Sequence, residues 1–213
     1  MSRIKGIIFD LDGVLCHTDE YHYLAWKVIA DELSIPFDRT INNRLRGVSR
    51  MQSLRIIIEK YDRLLSEEEL IMLAERKNDI YRKFLNRMSS SDLEENVREV
   101  LSTLRERFIK LAIGSSSKNA RFILEKTGLT DCFDAVCDGN DITYSKPHPE
   151  VFHKAAERLK LEPSICLVVE DSSAGIEAAK RGGFMTAAIG AAASDGKADV
   201  SLKDLSSLLK IID

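Results

Sequence analysis

The sequence predicts an α/β fold: a doubly wound parallel sheet interrupted by an inserted all-helical segment. Three observations lead there. Apolar, β-branched runs at 4–9, 110–114, 165–170 and 184–189 are each followed by loop or helix signals. Helical periodicity fills the spaces between the later runs, and strands joined through helices pair in parallel. From 18 to about 88 the alternation breaks, with helical patterns and no convincing strand. The expected division is a first core part at 1–16, a helical cap at 17–88 and a second core part at 89–213.

Taken in order, the first run ends on DLDGVL at 10–15. In the cap, Tyr21, Leu24, Ala25, Val28 and Leu33 make one apolar stripe, and SEEE at 66–69 has capping-box spacing for a helix running to about Leu85. After it, Leu93, Val97, Val100, Leu101 and Leu104 line one helical face. Serines at 115–117 are expected to cap a helix that Gly128 ends, Pro147 suits a first helical turn, and Gly182-Gly183 stops another helix.

The 213 residues are 44% hydrophobic, enough for a sizeable core and an additional unit. Thirty-one basic side chains against 34 acidic ones leave −3, so no strong field draws the chain to nucleic acid or an anionic membrane. Small molecules are the expected partners, and a self-contained core and cap suggest a monomer. Cys16, Cys132, Cys137 and Cys166 lack CxxC or zinc-like spacing and read as reduced core thiols. With no signal-peptide pattern and no run of membrane-spanning length, a cytoplasmic protein is expected.

The chemistry gathers at strand ends. Asp10 and Asp12 project to the same side of an extended chain, and Gly13 permits the backbone to bend. The run at 165–170 also finishes on acids, Glu170 and Asp171, so two strands deliver carboxylates to the sheet edge where ligands bind. Like charges about 4 Å apart repel by roughly 4 kcal/mol at an effective dielectric of 20, so their convergence calls for a cation. Oxygen donors alone point to Mg²⁺. AIGSSSKN at 112–119 runs from a strand into a helix, where hydroxyls and free amides either cradle a phosphate or simply cap the helix. Lys146, on a loop, is either solvated or aimed at the acidic edge.

DLDGVL at 10–15, Ser115 after a strand, Lys146-Pro147 and Glu170-Asp171 occur in order, and together they resemble the haloacid dehalogenase superfamily of phosphotransferases. The resemblance implies a Rossmann-like core in which Asp10 is the nucleophile and Asp12 the general acid and base. It further implies Mg²⁺ held by Asp10, the Asp12 carbonyl, Glu170 and Asp171, with Asp171 the more direct ligand of the last two. Ser115 and Lys146 would hold the phosphoryl oxygens.

In the cap, Thr18, Glu20-Tyr21-His22, Trp26, RGVSR at 46–50, Ser53 and RKND at 76–79 resemble the superfamily's hexose-phosphate mutases. That resemblance implies conversion of β-glucose 1-phosphate to glucose 6-phosphate through an aspartyl phosphate, with glucose 1,6-bisphosphate as intermediate and phosphorylating activator. Substrate contacts are expected from Thr18, His22, Trp26, Gly47, Val48, Arg50, Ser53, Lys77, Ser116, Ser117, Lys118 and Asn119, and His22 is expected to hydrogen-bond Asp12. Lys77 interrupts the apolar stripe Leu70, Leu73, Ala74, Tyr81, Phe84 and Met88, so it either lays its stem on that face and reaches water or turns to the substrate. His17 stands where an acid is usual, and hinges are expected near 16–18 and 88–91. The alternatives are a sugar-phosphate phosphatase with the same site and, from another class, a phospho-aspartate receiver module.

Overall fold

The computed structural model describes residues 4–212. In chain order it runs β1 (Gly6–Phe9), α1 (Asp19–Glu32), α2 (Arg39–Asn43), α3 (Arg50–Ile57), α4 (Glu67–Leu85), α5 (Val97–Glu106), β2 (Lys110–Gly114), α6 (Ala120–Thr127), β3 (Ala135–Cys137), α7 (Glu150–Leu159), β4 (Cys166–Glu170), α8 (Ser173–Arg181), β5 (Met185–Ala188) and β6 (Val200–Ser201), with short 3₁₀ turns between. The six strands are parallel in the order β3-β2-β1-β4-β5-β6.

Alternation along the central strand explains the layers. Ile7 and Phe9 face one side, where Leu111, Ile113, Leu167 and Val169 join them against α5 and α6. Ile8 faces the other, with Ala112 and Val168 against Val151, Phe152, Ala155 and Leu159 of α7. Each fully buried Val, Leu, Ile or Phe among them contributes roughly 1.5–3 kcal/mol. From β1 the chain winds outward through β2 to β3, then crosses to β4 on the opposite side. The loops after β1 and β4 therefore leave in opposite directions, which opens a crevice at their carboxyl ends.

The segment between β1 and β2 is helical, and a separate apolar cluster of Trp26, Ile29, Ala30, Leu54, Ile57, Leu70 and Ala74, with Ile41 of α2 packed against it, holds its first four helices together. The capping box expected at Ser66 is formed, with Ser66 Oγ accepting from the Glu69 amide and Glu69 returning the bond. A second box at Ser49 and Gln52 starts α3 and fixes Arg50 as its first residue. Antiparallel bridging of Cys16 to Leu93 marks where the chain re-enters the core.

Three details differ from the sequence reading. Strands β3 and β6, of three and two residues, add to the four expected and are too short to show a period. Serines 115–117 do not cap α6, which begins at Ala120 behind Asn119; they fold on themselves, Ser115 Oγ accepting from the Ser117 amide and Ser117 Oγ from the Asn119 amide. Pro147 is not in a first helical turn either, because a turn from Ser145 to His148 carries Lys146 under the sheet edge before α7 starts at Glu150.

Candidate active site

Asp10 leaves β1 with its amide still bonded to the Val169 carbonyl, so its carboxylate is fixed at the crevice between β1 and β4. Gly13 then takes φ +89°, and a Cβ there would lie 2.2 Å from Asp171 Oδ2. Glycine is required for both reasons, and its absent side chain lets Asp171 lie against the DLDG turn.

Lys146 is wholly buried, and its ammonium bridges Asp10 Oδ1 at 2.5 Å and Glu170 Oε1. It is therefore not solvated. Burial alone would lower its pKa, but the charges of Asp10 and Glu170 offset that and raise it. Asp10 remains under tension: burial pushes its carboxyl up to about 7, against the pull of Lys146. Asp12 is pushed up to about 6, again by burial, with the Thr18 hydrogen bond opposing. Asp171 is held well above its ordinary value by burial and by the charges of Glu170 and Asp10, while Arg46 opposes.

Glu170 does not face the cavity. Its Oε2 accepts from the Ser172 amide at 2.8 Å and hydroxyl at 2.9 Å, its Oε1 takes Lys146, and Gly175 of α8 packs so close that a Cβ would fall 1.9 Å from the carboxylate. As it stands, Glu170 orients Lys146 instead of offering a free oxygen to a cation. Asp171 does face the cavity, where Arg46 Nη1 meets its Oδ2 at 3.1 Å and Arg46 Nη2 meets Asp19.

The crevice and cap enclose a cavity of about 550 Å³. From the core it is lined by Asp10, Asp12, Ser115, Ser116, Ser117, Lys118, Asn119, Lys146 and Asp171; from the cap by His22, Trp26, Gly47, Val48, Arg50, Ser53 and Lys77. Thr18 is not on this wall. It is fully buried and donates its hydroxyl to Asp12 Oδ1, the place expected for His22. His22 instead stacks on Tyr81, ring centroids 4.1 Å apart, and its Nδ1 accepts from Lys77 Nζ at 2.8 Å. Thr18 precedes α1 and reaches back to the DLDG turn, whereas His22, one turn on, faces α4.

Lys77 does not snorkel: it is 2% exposed, with its ammonium 4.4 Å from the Tyr81 ring centroid and 5.0 Å from that of Trp26. Burial, reinforced by Arg50, holds its pKa well below the ordinary lysine range, and burial with Lys77 does the same to His22. His22 is thus neutral, its Nδ1 lone pair committed to Lys77. Ser116 Oγ is buried without a partner. Asn78 Oδ1 accepts from both Arg50 at 2.7 Å and Asn119 Nδ2 at 2.9 Å, joining cap to core.

The sequence reading did not single out Asp19 and Arg46, which line the cavity, or Asn78 and Arg82, which do not line it but bond the Asn119 carboxamide. Arg46 and Asn78 lie inside the motifs RGVSR and RKND, and that adjacency was the available signal. Arg82 had none, being one charge on an exposed helical face.

A buried carboxylate with a paired lysine, a second acid two residues on and a covered cavity sit at the switch point of a doubly wound sheet, and this chain belongs to the haloacid dehalogenase-like hydrolases, whose family model matches residues 4–183. Over 211 residues it is 37% identical to a β-phosphoglucomutase of Bacillus subtilis, covering 96% of this chain and 92% of that protein. The crystal structure of β-phosphoglucomutase from Clostridium difficile superposes with a TM-score of 0.90 at 36% identity, covering 96% and 93% of the two chains. A phosphorylated carbohydrates phosphatase of Thermotoga maritima is 31% identical over 185 residues, 85% of this chain and 82% of that one. Among the described residues no helix is long and apolar enough to cross a membrane.

Proposed function

We propose that this enzyme interconverts β-glucose 1-phosphate and glucose 6-phosphate by way of β-glucose 1,6-bisphosphate. The observation that carries the reading is one cavity lined both by Ser115 and Lys146 with Asp10 and by Arg50, whose partner Asn78 also bonds Asn119 of the Ser116–Asn119 loop, so that it offers donors for more than one phosphate. A phosphatase needs one phosphate site; an isomerase that turns a bisphosphate over needs two.

In this mechanism phosphorylated Asp10 donates its phosphoryl group to the 6-hydroxyl of β-glucose 1-phosphate while Asp12 takes the hydroxyl proton. The bisphosphate reorients, Asp10 attacks the 1-phosphoryl group, and Asp12 returns the proton to the departing sugar oxygen. Asp12 suits both directions because burial places its pKa at about 6, close to the working pH. Lys146 balances charge on the transferring group, and the cap positions the acceptor and excludes water that would otherwise hydrolyse the aspartyl phosphate. Glucose 1,6-bisphosphate is the proposed activator, since it phosphorylates Asp10 in its own right.

The family implies Mg²⁺. The donor set fits a hard cation, because Asp171 lies against the turn carrying Asp10 and Asp12 in the space left by the missing Gly13 side chain. Among the described residues no three acidic, histidine or cysteine side chains are arranged to hold a metal by themselves, so main-chain and non-protein oxygens complete the proposed set. Asp10, the Asp12 carbonyl and Asp171 would hold the ion, with Glu170 acting through Lys146. When bound it would neutralise charge shared by carboxylate and phosphate. The four unpaired thiols are in keeping with a reducing, cytoplasmic setting, and a cavity built by core and cap of one chain supports a monomer as the working form.

Identity to the Thermotoga phosphatase keeps a sugar-phosphate phosphatase as the second reading. The test supplies α- or β-glucose 1-phosphate with Mg²⁺ and a trace of glucose 1,6-bisphosphate, following glucose 6-phosphate and inorganic phosphate separately. Isomer formed from the β anomer supports the mutase. Phosphate released without isomer overturns it in favour of the phosphatase, and turnover of the α anomer alone overturns the assigned sugar.

A further inference from the structure

Asn119 occupies the residue before α6, a position where asparagine ordinarily accepts a bond from the helix's own first-turn amides. It makes no such bond here. Instead its Oδ1 accepts from Arg82 Nη1 at 3.2 Å, and its Nδ2 donates to Asn78 Oδ1 at 2.9 Å. Arg82 belongs to α4 of the cap, and its guanidinium carbon lies 4.4 Å from the ring centroid of Phe122 on α6 of the core. The chain of bonds runs from Arg50 to Asn78, from Asn119 to Asn78 and from Arg82 to Asn119, crossing the domain boundary twice.

A guanidinium has only donors, so the amide group facing Arg82 must be the oxygen. Two consequences follow. The acceptor oxygen of Asn119 is turned away from any anion at the α6 end of the cavity, and the first amides of α6 are not consumed by their own flanking side chain. Stacking on Phe122 holds the guanidinium, which pairs with no carboxylate among the described residues.

We propose that Arg82 is a positioning residue for the anion end of the cavity, fixing the Asn119 carboxamide and tying cap to core over Phe122. This deepens the proposed function, because under that reading this end holds the phosphate not undergoing transfer. Removing the guanidinium frees the carboxamide to rotate and cap α6, which weakens phosphate there and loosens the closed cap.

The test reads the side-chain amide resonances of Asn119, identified by their loss in Asn119→Asp, during titration of the full chain with inorganic phosphate. Arg82→Met keeps apolar cover over Phe122 but removes the donor; Lys126→Met removes the other cation over the same ring, 5.3 Å from its centroid. Phosphate is expected to move the wild-type and Lys126→Met signals alike, while Arg82→Met requires about tenfold more, the loss of one charge-assisted bond. In turnover, KM for β-glucose 1-phosphate rises by a similar factor in Arg82→Met with kcat little changed. Wild-type signals unmoved by phosphate, or Arg82→Met titrating like wild type, would overturn the proposal. If the wild type isomerises no hexose phosphate, the proposed function fails while the Asn119 titration still decides the role of Arg82.

Discussion

Asp10→Asn should abolish turnover and, in the same molecule, raise stability at alkaline pH. The carboxyl is pushed from 3.8 to about 7, burial being the largest cause and Lys146 at 2.5 Å opposing it. A carboxyl whose pKa is higher folded than unfolded holds its proton more tightly in the folded state. Stability is therefore greatest below the unfolded value and falls as pH rises through about 7. The interval from 3.8 to about 7 corresponds to ~4 kcal/mol. An amide avoids this loss but gives up a charge paired with Lys146, which keeps Glu170 as counter-ion. The expected net gain at pH 8 is about 2–3 kcal/mol, or roughly 4–12 °C in Tm for a chain of this size. Calorimetric melting of both proteins in a chelator at pH 5, 6.5 and 8 measures it. The gap should widen with pH, and added Mg²⁺ should raise the wild type more than the variant. A gap that does not change with pH, or a variant that melts lower at pH 8, refutes the assignment of buried charge to Asp10.

Lys146→Met leaves Asp10 and Glu170 buried without their shared cation and should cost about 3–5 kcal/mol at pH 8, less at pH 5 where Asp10 is protonated; denaturant melts at the two pH values check this. Gly13→Ala combines a positive φ with a Cβ 2.2 Å from Asp171, so phosphoryl transfer and melting temperature should fall together; unchanged activity would show that Asp171 need not lie against that turn. The Arg158 hydrogen bond holds the Asp141 carboxyl well below its ordinary range, so its stabilisation is complete above the unfolded value near 4 and is lost as pH falls below it. Asp141→Asn should accordingly lower stability by about 1 kcal/mol at pH 7 and by roughly half that or less at pH 2 in urea melts, since the loss begins at the unfolded value and is complete only below the folded one.

The sequence by itself determined the winding of the sheet, the helical insertion and the carboxylates at the ends of β1 and β4. These are carried by contiguous residues, whose alternation, capping and glycine freedom are local properties of the backbone. Strands β3 and β6 lay below that threshold, since two or three residues have no readable period. What each polar group touches was decided only by tertiary structure. Thr18 and His22 sit one turn apart beside the same helix start, yet the packing of α4 along α1 assigned Asp12 to the first and Lys77 to the second. Glu170 and Asp171 are neighbours in the chain, but alternation turned one inward to Lys146 and the other toward the cavity and Arg46. A side chain's partners depend on which distant surfaces the hydrophobic layers bring together, and that information is distributed over the whole chain.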